Sequence, residues 1–142
     1  MTTFNDLDLS NQLRNSIEEM GFTHPTPIQE QAFSVVRSGK DVVGIAQTGT
    51  GKTFAYMIPI LRDLKFSKQD TPRVLVLVPT RELVLQVVEE IEKLAAYINV
   101  RVLAVYGGTN INTQKQAVAQ GQDIIVATPG RLYDLALSNV LK

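Results

Sequence analysis

The chain has 142 residues, a one-domain length with enough sequence to bury a real core. Its 44% hydrophobic and 20% charged content are those of an ordinary globular domain, and 14 basic residues balance 14 acidic ones, so no global basic field draws it to nucleic acid. Cysteine is absent, which excludes disulfides and thiolate metal sites; no apolar run approaches membrane-spanning length and residues 1–10 carry no basic-apolar leader, so a cytoplasmic location without a membrane partner is expected.

Ser10 is placed to cap a helix over Asn11 to Met20, with Leu13, Ile17 and Met20 on one face and Gly21 as its stop. Phe22 to Pro25 reads as a turn with His24 solvated, and Thr26-Pro27 as the N-cap and first residue of a second helix reaching about Ser38. Four apolar runs of strand length follow: Asp41 to Ala46, Val74 to Val78, Val100 to Tyr106 and Ile124 to Ala127. Each precedes a helical segment: Phe54 to Leu64 (apart from Pro59), Arg81 to Tyr97, Asn112 to Gln120 and Arg131 to Leu137. The second and fourth runs are apolar throughout, which suits strands covered on both faces. In Arg81 to Tyr97, Leu83, Val84, Val87, Val88, Ile91, Leu94 and Ala95 share one face, while Glu82, Gln86, Glu89, Glu90 and Lys93 form a solvated one. Strands alternating with helices predict an α/β fold with a mostly parallel sheet and right-handed crossovers.

The stretch Ala46-Gln47-Thr48-Gly49-Thr50-Gly51-Lys52-Thr53 stands between the first apolar run and a helix. That order builds a phosphate cradle. Gly49 and Gly51 let the backbone pass close to an anion, N–H groups converge at a helix N-terminus, and Lys52 brings a cation to the outer phosphates. The Thr53 hydroxyl is the ligand for the Mg²⁺ that a nucleoside triphosphate carries. The usual pattern begins with glycine; here that position is Ala46, which a negative φ tolerates.

Ligands on parallel sheets bind beyond the carboxyl ends of the strands. The phosphate loop, Pro79-Thr80, Gly107-Gly108 and Thr128-Pro129 stand at such ends and are expected along one edge of the domain. Thr80 and Thr128 read as N-caps; helix-end N–H groups beside Arg81 and Arg131 suit the phosphates of a nucleic-acid backbone. Gly107-Gly108 would admit a sugar-phosphate chain close to the backbone, and Glu82 is a candidate tie between the loops.

Taken in order, these residues resemble the DEAD-box RNA helicases. Gly21-Phe22-Thr23-His24-Pro25-Thr26-Pro27-Ile28-Gln29 is similar to that family's Q motif, with Phe4 upstream as its isolated aromatic. Ala46 to Thr53 resembles the family's phosphate loop, alanine included. Pro79-Thr80-Arg81-Glu82-Leu83, Gly107-Gly108 and Thr128-Pro129-Gly130-Arg131 resemble three of its RNA-contacting motifs. Val84 stands where the family usually has alanine. The resemblance implies a RecA-like fold. It implies ATP and Mg²⁺ held by Phe22, Gln29 and Ala46 to Thr53, with Lys52 and Thr53 as the catalytic pair. It also implies RNA, single-stranded or short duplex, gripped by its backbone without sequence preference at Pro79, Thr80, Arg81, Gly107, Gly108, Thr128, Pro129, Gly130 and Arg131. Gln29 offers the donor and acceptor that pair with adenine, or is a surface glutamine in a first helical turn. Phe22 is a base-stacking residue or part of the core, and Phe4 a packing residue.

No apolar run ends in Asp-Glu, Asp123 precedes its strand, and Asp134 lies on a helix, so the carboxylate that holds Mg²⁺ and orients water is missing. In the resembled family the Asp-Glu-Ala-Asp motif follows soon after the position of Lys142, and a second domain completes the RNA cleft. The expectation is therefore an N-terminal part of a helicase's first domain, with residues 1–39 as the Q-motif region and 40–142 as a phosphate-loop core incomplete at its C-terminal end. It would bind nucleotide without turnover, and its uncovered sheet edges would offer a route to self-association. The alternatives are a non-catalytic RNA- or partner-binding module and another phosphate-loop enzyme such as a nucleotide kinase.

Overall fold

Side-chain caps start several of the helices, and strands form where a neighbouring strand accepts their hydrogen bonds. A computed structural model describes residues 2–46, 51–64 and 71–138. The chain divides into two units: unit 1 is Met1–Lys65 with Lys93–Ile98, and unit 2 is Phe66–Glu92 with Asn99–Lys142.

Unit 1 is helical. A short 3-10 turn, Phe4–Asp6, precedes α1 (Asn11–Glu19), α2 (Pro27–Arg37) and α3 (Lys52–Asp63). Ser10 Oγ caps α1 by accepting from Leu13 N at 3.4 Å. Thr26 and Gln29 form a reciprocal capping box at the start of α2, where Pro27 lacks the N–H that the first turn leaves unused. Helix α3 runs unbroken through Pro59, which is buried. The core gathers Leu13 and Ile17 of α1, Ala32 and Phe33 of α2, and Ala55, Met57, Ile58 and Leu61 of α3, all buried. Ser16, also buried, donates its hydroxyl to Leu94 O at 2.6 Å. At the surface, Arg37 and Arg62 both reach Asp8 at 3.2 Å, and Arg37 reaches Asp63 at 3.2 Å.

Unit 2 holds the sheet. Strands β1 (Val74–Leu77), β2 (Val102–Val105) and β3 (Ile124–Ala127) lie in the order β1-β3-β2, parallel throughout, with Val74 and Val102 both in register with Ile124. Helix α4 (Arg81–Leu94) begins in this unit; α5 (Ile111–Ala119) and α6 (Pro129–Leu137) complete it. Val105, Val118, Ile125, Ala127 and Leu135 form one buried cluster. Asp123, wholly buried, closes the amino-terminal end of the sheet. Its carboxylate accepts from Arg73 Nη2 at 3.0 Å, Arg101 Nη2 at 3.2 Å and Arg101 N at 2.9 Å.

Three expectations are corrected. Asp41 to Ala46 is not a strand: Val43 and Ile45 are 90% and 89% exposed, and no described residue pairs with the run. An apolar run becomes a strand only when another strand takes its N–H and C=O groups. Strand β1 is not covered on both faces. Its burial alternates, with Leu75 and Leu77 about half exposed, because successive side chains point to opposite faces and one face is left partly uncovered among the described residues. Helix α4 ends at Leu94 rather than Tyr97, and Leu83 in its first turn is exposed, so the packed strip begins at Val84.

Candidate nucleotide and nucleic-acid sites

Gly51 opens α3. Its φ of +82° and ψ of +37° are left-handed, open to glycine at little cost, and no side chain among the described residues caps the helix. The first-turn N–H groups of α3 are thus left to another acceptor, at the positive end of the helix dipole. Lys52 follows, exposed, and Thr53 is half-buried on the same turn. Ala46, half-buried, lies just before the loop; Gln47, Thr48, Gly49 and Thr50 lie outside the described residues.

Gln29 is not a surface residue. It is 6% exposed, its Oε1 accepts from Thr26 N at 3.0 Å, and its Nε2 donates to Gly51 O at 3.2 Å. A Cβ on Gly51 would collide with this amide. The glutamine therefore ties the start of α2 to the start of α3 and keeps one amide hydrogen and one oxygen lone pair uncommitted. Phe22 is 49% exposed and so not a core residue; it meets Phe54 edge to face, with ring centroids 5.9 Å apart. Phe4 is buried as a packing residue, and its N–H donates to Thr23 O at 3.0 Å, which fastens the segment to the turn before Thr26. His24 is exposed, with Nδ1 3.1 Å from Thr2 O.

The other candidates belong to unit 2 and follow its three strands. After β1, Thr80 Oγ1 accepts from Leu83 N at 3.2 Å and so caps α4. Beside it Arg81 lies over the Tyr106 ring, 5.1 Å from the centroid. After β2, Gly107 and Gly108 are exposed, Gly108 has φ +81°, and a Cβ at either would meet nothing within 4 Å. After β3 come Thr128, then Pro129 and Gly130, both exposed, at the start of α6. Here the expected cap is missing: the Thr128 hydroxyl makes no capping bond. Pro79-Thr80, Gly107-Gly108 and Thr128-Pro129 thus stand at the carboxyl ends of parallel strands within this unit, while Gln47 to Thr50 of the phosphate loop, expected on the same edge, lie outside the described residues.

Two roles differ from expectation. Glu82 ties no loops together; it is exposed and makes no hydrogen bond or ion pair among the described residues. The tie is made by Gln114 and Arg131. Arg131 donates from Nη1 to Gln114 Oε1 at 3.1 Å, and from Nη1 and Nη2 to Thr109 O at 3.2 Å each. Gln114 was not singled out from sequence. The signal for it is positional: with Ile111 and Val118 it marks the inward stripe of α5, a polar residue where an apolar one is expected.

No helix among the described residues is long and apolar enough to cross a membrane, and no group of three or more His, Cys, Asp or Glu there is placed to hold a metal ion. Residues 26–142 match the DEAD/DEAH box helicase family model. The chain is 46% identical over 134 residues to the DEAD-box ATP-dependent RNA helicase CshA of Bacillus cereus, covering 94% of this chain and 25% of that protein. It is 44% identical over 132 residues to the DEAD-box ATP-dependent RNA helicase RhpA of Helicobacter pylori, covering 93% and 26%. Among solved structures, a hypothetical ATP-dependent RNA helicase from Sulfolobus tokodaii superposes with a TM-score of 0.82 at 40% identity, over 94% of this chain and 38% of that one. The chain spans about a quarter of the length of these curated relatives. With the parallel sheet and the ordered motifs, the match over residues 26–142 makes this chain a member of the DEAD/DEAH box helicase family.

Proposed function

We propose that the chain is the ATP-binding, RNA-contacting part of an ATP-dependent RNA helicase, which as a whole couples ATP hydrolysis to local unwinding of RNA. The observation that carries the nucleotide half is the start of α3: a left-handed Gly51, no side-chain cap, and then Lys52 and Thr53. In this reading Ala46 to Thr53 cradles the phosphates and Lys52 neutralises the outer ones. Thr53 takes the Mg²⁺, and Gln29 spends its remaining hydrogen and lone pair on the adenine edge. Phe22, half exposed, offers a ring to the base. Bound Mg-ATP would supply the phosphoryl group whose transfer to water the whole protein exploits.

The RNA half rests on the strand ends of unit 2. Thr80, Arg81, Gly107, Gly108, Thr128, Pro129, Gly130 and Arg131 would meet a sugar-phosphate backbone through N–H groups and two guanidinium groups, without reading bases. The reading includes a division into a Q-motif region, 1–39, and a phosphate-loop core, 40–142. It also includes a second helicase domain in the whole protein, a cytoplasmic location, and nucleotide binding by residues 1–142 without turnover. The uncovered side of β1 would let copies associate at high concentration.

Calorimetry of Mg-ATP against the wild type and Lys52→Ala tests the nucleotide half; equal affinities would remove Lys52 from the site. GTP is the second titrant. Guanine presents two acceptors where adenine presents a donor and an acceptor, so ATP should bind about ten-fold tighter, within the ~1–3 kcal/mol of a bidentate pair. A preference for GTP would withdraw Gln29 as the base reader. Phosphate release by residues 1–142 that RNA stimulates and Lys52→Ala abolishes would overturn the expected lack of turnover.

A further inference from the structure

We propose that Gln114 is a positioning residue for the nucleic-acid edge. It locks the loop Tyr106–Thr109 to Arg131, so that both meet a phosphate backbone as one preformed surface. The proposal rests on the RNA-contacting reading above and adds to it a residue outside every motif that suggested that reading.

Gln114 is 7% exposed, and its amide is used at both ends. Nε2 donates to Tyr106 O at 3.1 Å and to Thr109 Oγ1 at 2.7 Å, while Oε1 accepts from Arg131 Nη1 at 3.1 Å. A buried amide is tolerable only when it is hydrogen-bonded, and its partners here stand on either side of Gly107-Gly108 and at the first turn of α6. Besides Gln114, Thr109 Oγ1 donates to Tyr106 O at 3.1 Å across the loop, and Arg131 holds Thr109 O. Nothing lies within 4 Å of a Cβ placed on Gly107 or Gly108, so side-chain packing does not fix the φ of +81° at Gly108. Hydrogen bonds hold the turn instead: Thr109 Oγ1 to Tyr106 O closes it, and Gln114 Nε2 clamps both of those oxygens from inside the fold.

The same bonds orient Arg131. With both Nη1 hydrogens and one Nη2 hydrogen spent on Thr109 O and Gln114 Oε1, the guanidinium keeps Nε–H and the second Nη2 hydrogen. Those two hydrogens form one edge of the fork and suit a phosphate bidentately. Tyr106 carries the lock one segment further, since its carbonyl is held by Gln114 and its ring lies under Arg81. Three separate stretches of sequence, at Arg81, Gly107-Gly108 and Arg131, are thereby ordered before RNA arrives, and ordering done in advance lowers the entropy lost on binding.

The test uses the full chain in four forms: wild type, Gln114→Ala, Arg131→Ala and the double variant. Binding of a fluorescent single-stranded oligouridylate is followed by anisotropy over a salt series, amide hydrogen exchange is measured without RNA, and Mg-ATP calorimetry checks the fold of the nucleotide end. Gln114→Ala should speed exchange at Gly108 and Thr109, leave ATP affinity unchanged and weaken RNA about ten-fold. The double variant should bind RNA within about two-fold of the weaker single variant, because the two side chains act as one unit. Additive losses, or wild-type RNA affinity in Gln114→Ala, would overturn the proposal. Gln114→Glu is the second probe. It keeps an acceptor for Arg131 but loses both donations to the loop, so it should match Gln114→Ala in exchange at Gly108 whatever the alanine variant does to the fold. Should the wild type bind no RNA, the functional reading fails by itself. Exchange at Gly108 then decides the lock: unchanged exchange in both variants refutes it.

Discussion

Gln29 in unit 1 and Gln114 in unit 2 are buried to the same extent, and each steadies a glycine-bearing segment. They do it differently. Gln29 works at close range: its amide holds Gly51 O and fills the space a Cβ would need, so the glycine is fixed by contact as well as by its left-handed φ. Gln114 works at the rim of open space, holding Tyr106 O and Thr109 Oγ1 while Gly107 and Gly108 touch nothing. On the proposed reading, the first arrangement serves a small ligand and the second a polymer. A nucleotide phosphate is enclosed, and its loop must not yield; a sugar-phosphate chain passes along a surface that must stay clear.

The largest effect should come from removing what anchors the strands of unit 2. Asp123→Ala deletes a wholly buried carboxylate that serves Arg73, Arg101 and the Arg101 amide. Breaking a buried pair costs about 3–5 kcal/mol, and partial exposure of both arginines puts the expected loss near the lower bound. Urea unfolding followed by hydrogen exchange in β1, β2 and β3 measures it; a loss confined to the helices of unit 1 would contradict the assignment. The acid dependence has a definite sign. Burial pushes the Asp123 pKa up, but the hydrogen bonds from the Arg101 side chain and backbone and from Arg73 outweigh it and leave it below the ordinary 3.8. The folded carboxylate therefore holds its proton less tightly than the unfolded one. Its stabilisation is complete above the unfolded value and disappears as pH falls through that value toward the lower folded one. Asp123→Asn should flatten the stability curve below about pH 4.

Next in size is Lys52→Ala, which separates the two ends of the comparison. Hydrogen bonds to charged groups contribute about 1.5–3 kcal/mol, so Mg-ATP affinity should fall by roughly 10- to 150-fold while oligouridylate binding stays put. A matching fall in RNA affinity without nucleotide would mean that one surface serves both ligands.

The legibility of these two regions in the sequence also differs, for physical reasons. Caps and turn glycines are local devices, so Ser10, Thr26-Pro27 and Gly51 were readable residue by residue. The parallel sheet was readable from the alternation of apolar runs with helices. What failed depended on partners far along the chain. Asp41 to Ala46 has the composition of a strand and no partner among the described residues, while Leu75 and Leu77 look like core and face outward. Gln114 escaped because its local signal, a polar residue on the apolar stripe of α5, does not say what it meets; a carbonyl, a hydroxyl and a guanidinium are brought to it by the fold.

A third substitution probes contact against open space directly. Gly51→Ala places an L-residue in a left-handed conformation, which costs about 1–2 kcal/mol, and adds a collision with Gln29. Gly107→Ala meets neither penalty, since its surroundings are empty and its φ is not left-handed. Gly51→Ala should thus lower both stability and ATP affinity. Gly107→Ala should stay within about 0.5 kcal/mol of wild type, as neutral surface changes do, and alter only RNA binding. Equal destabilisation by the two would show that the loop at Gly107 is packed rather than open.

The smallest difference distinguishes two threonines that the sequence treats alike. Each follows a strand and precedes a helix, but only Thr80 closes a capping bond, to Leu83 N at 3.2 Å. Removing a working N-cap costs typically ~1 kcal/mol, so Thr80→Ala should lower the stability of unit 2 by about that amount. Thr128 caps nothing: unlike Thr26, which also precedes a proline but accepts from the amide of the third residue of its helix, its hydroxyl takes no first-turn amide. Thr128→Ala should therefore change stability by no more than a few tenths of a kcal/mol, within the ordinary range of surface substitutions. On the proposed RNA-contacting reading its hydroxyl is left for the phosphate backbone, so the RNA titration should register its loss where urea unfolding does not. Replacement by serine, which restores the hydroxyl without the methyl, should recover RNA binding. If Thr128→Ala and Thr80→Ala were equally destabilising and neither touched RNA affinity, both threonines would be caps alone, and the edge would have to grip its phosphates without Thr128.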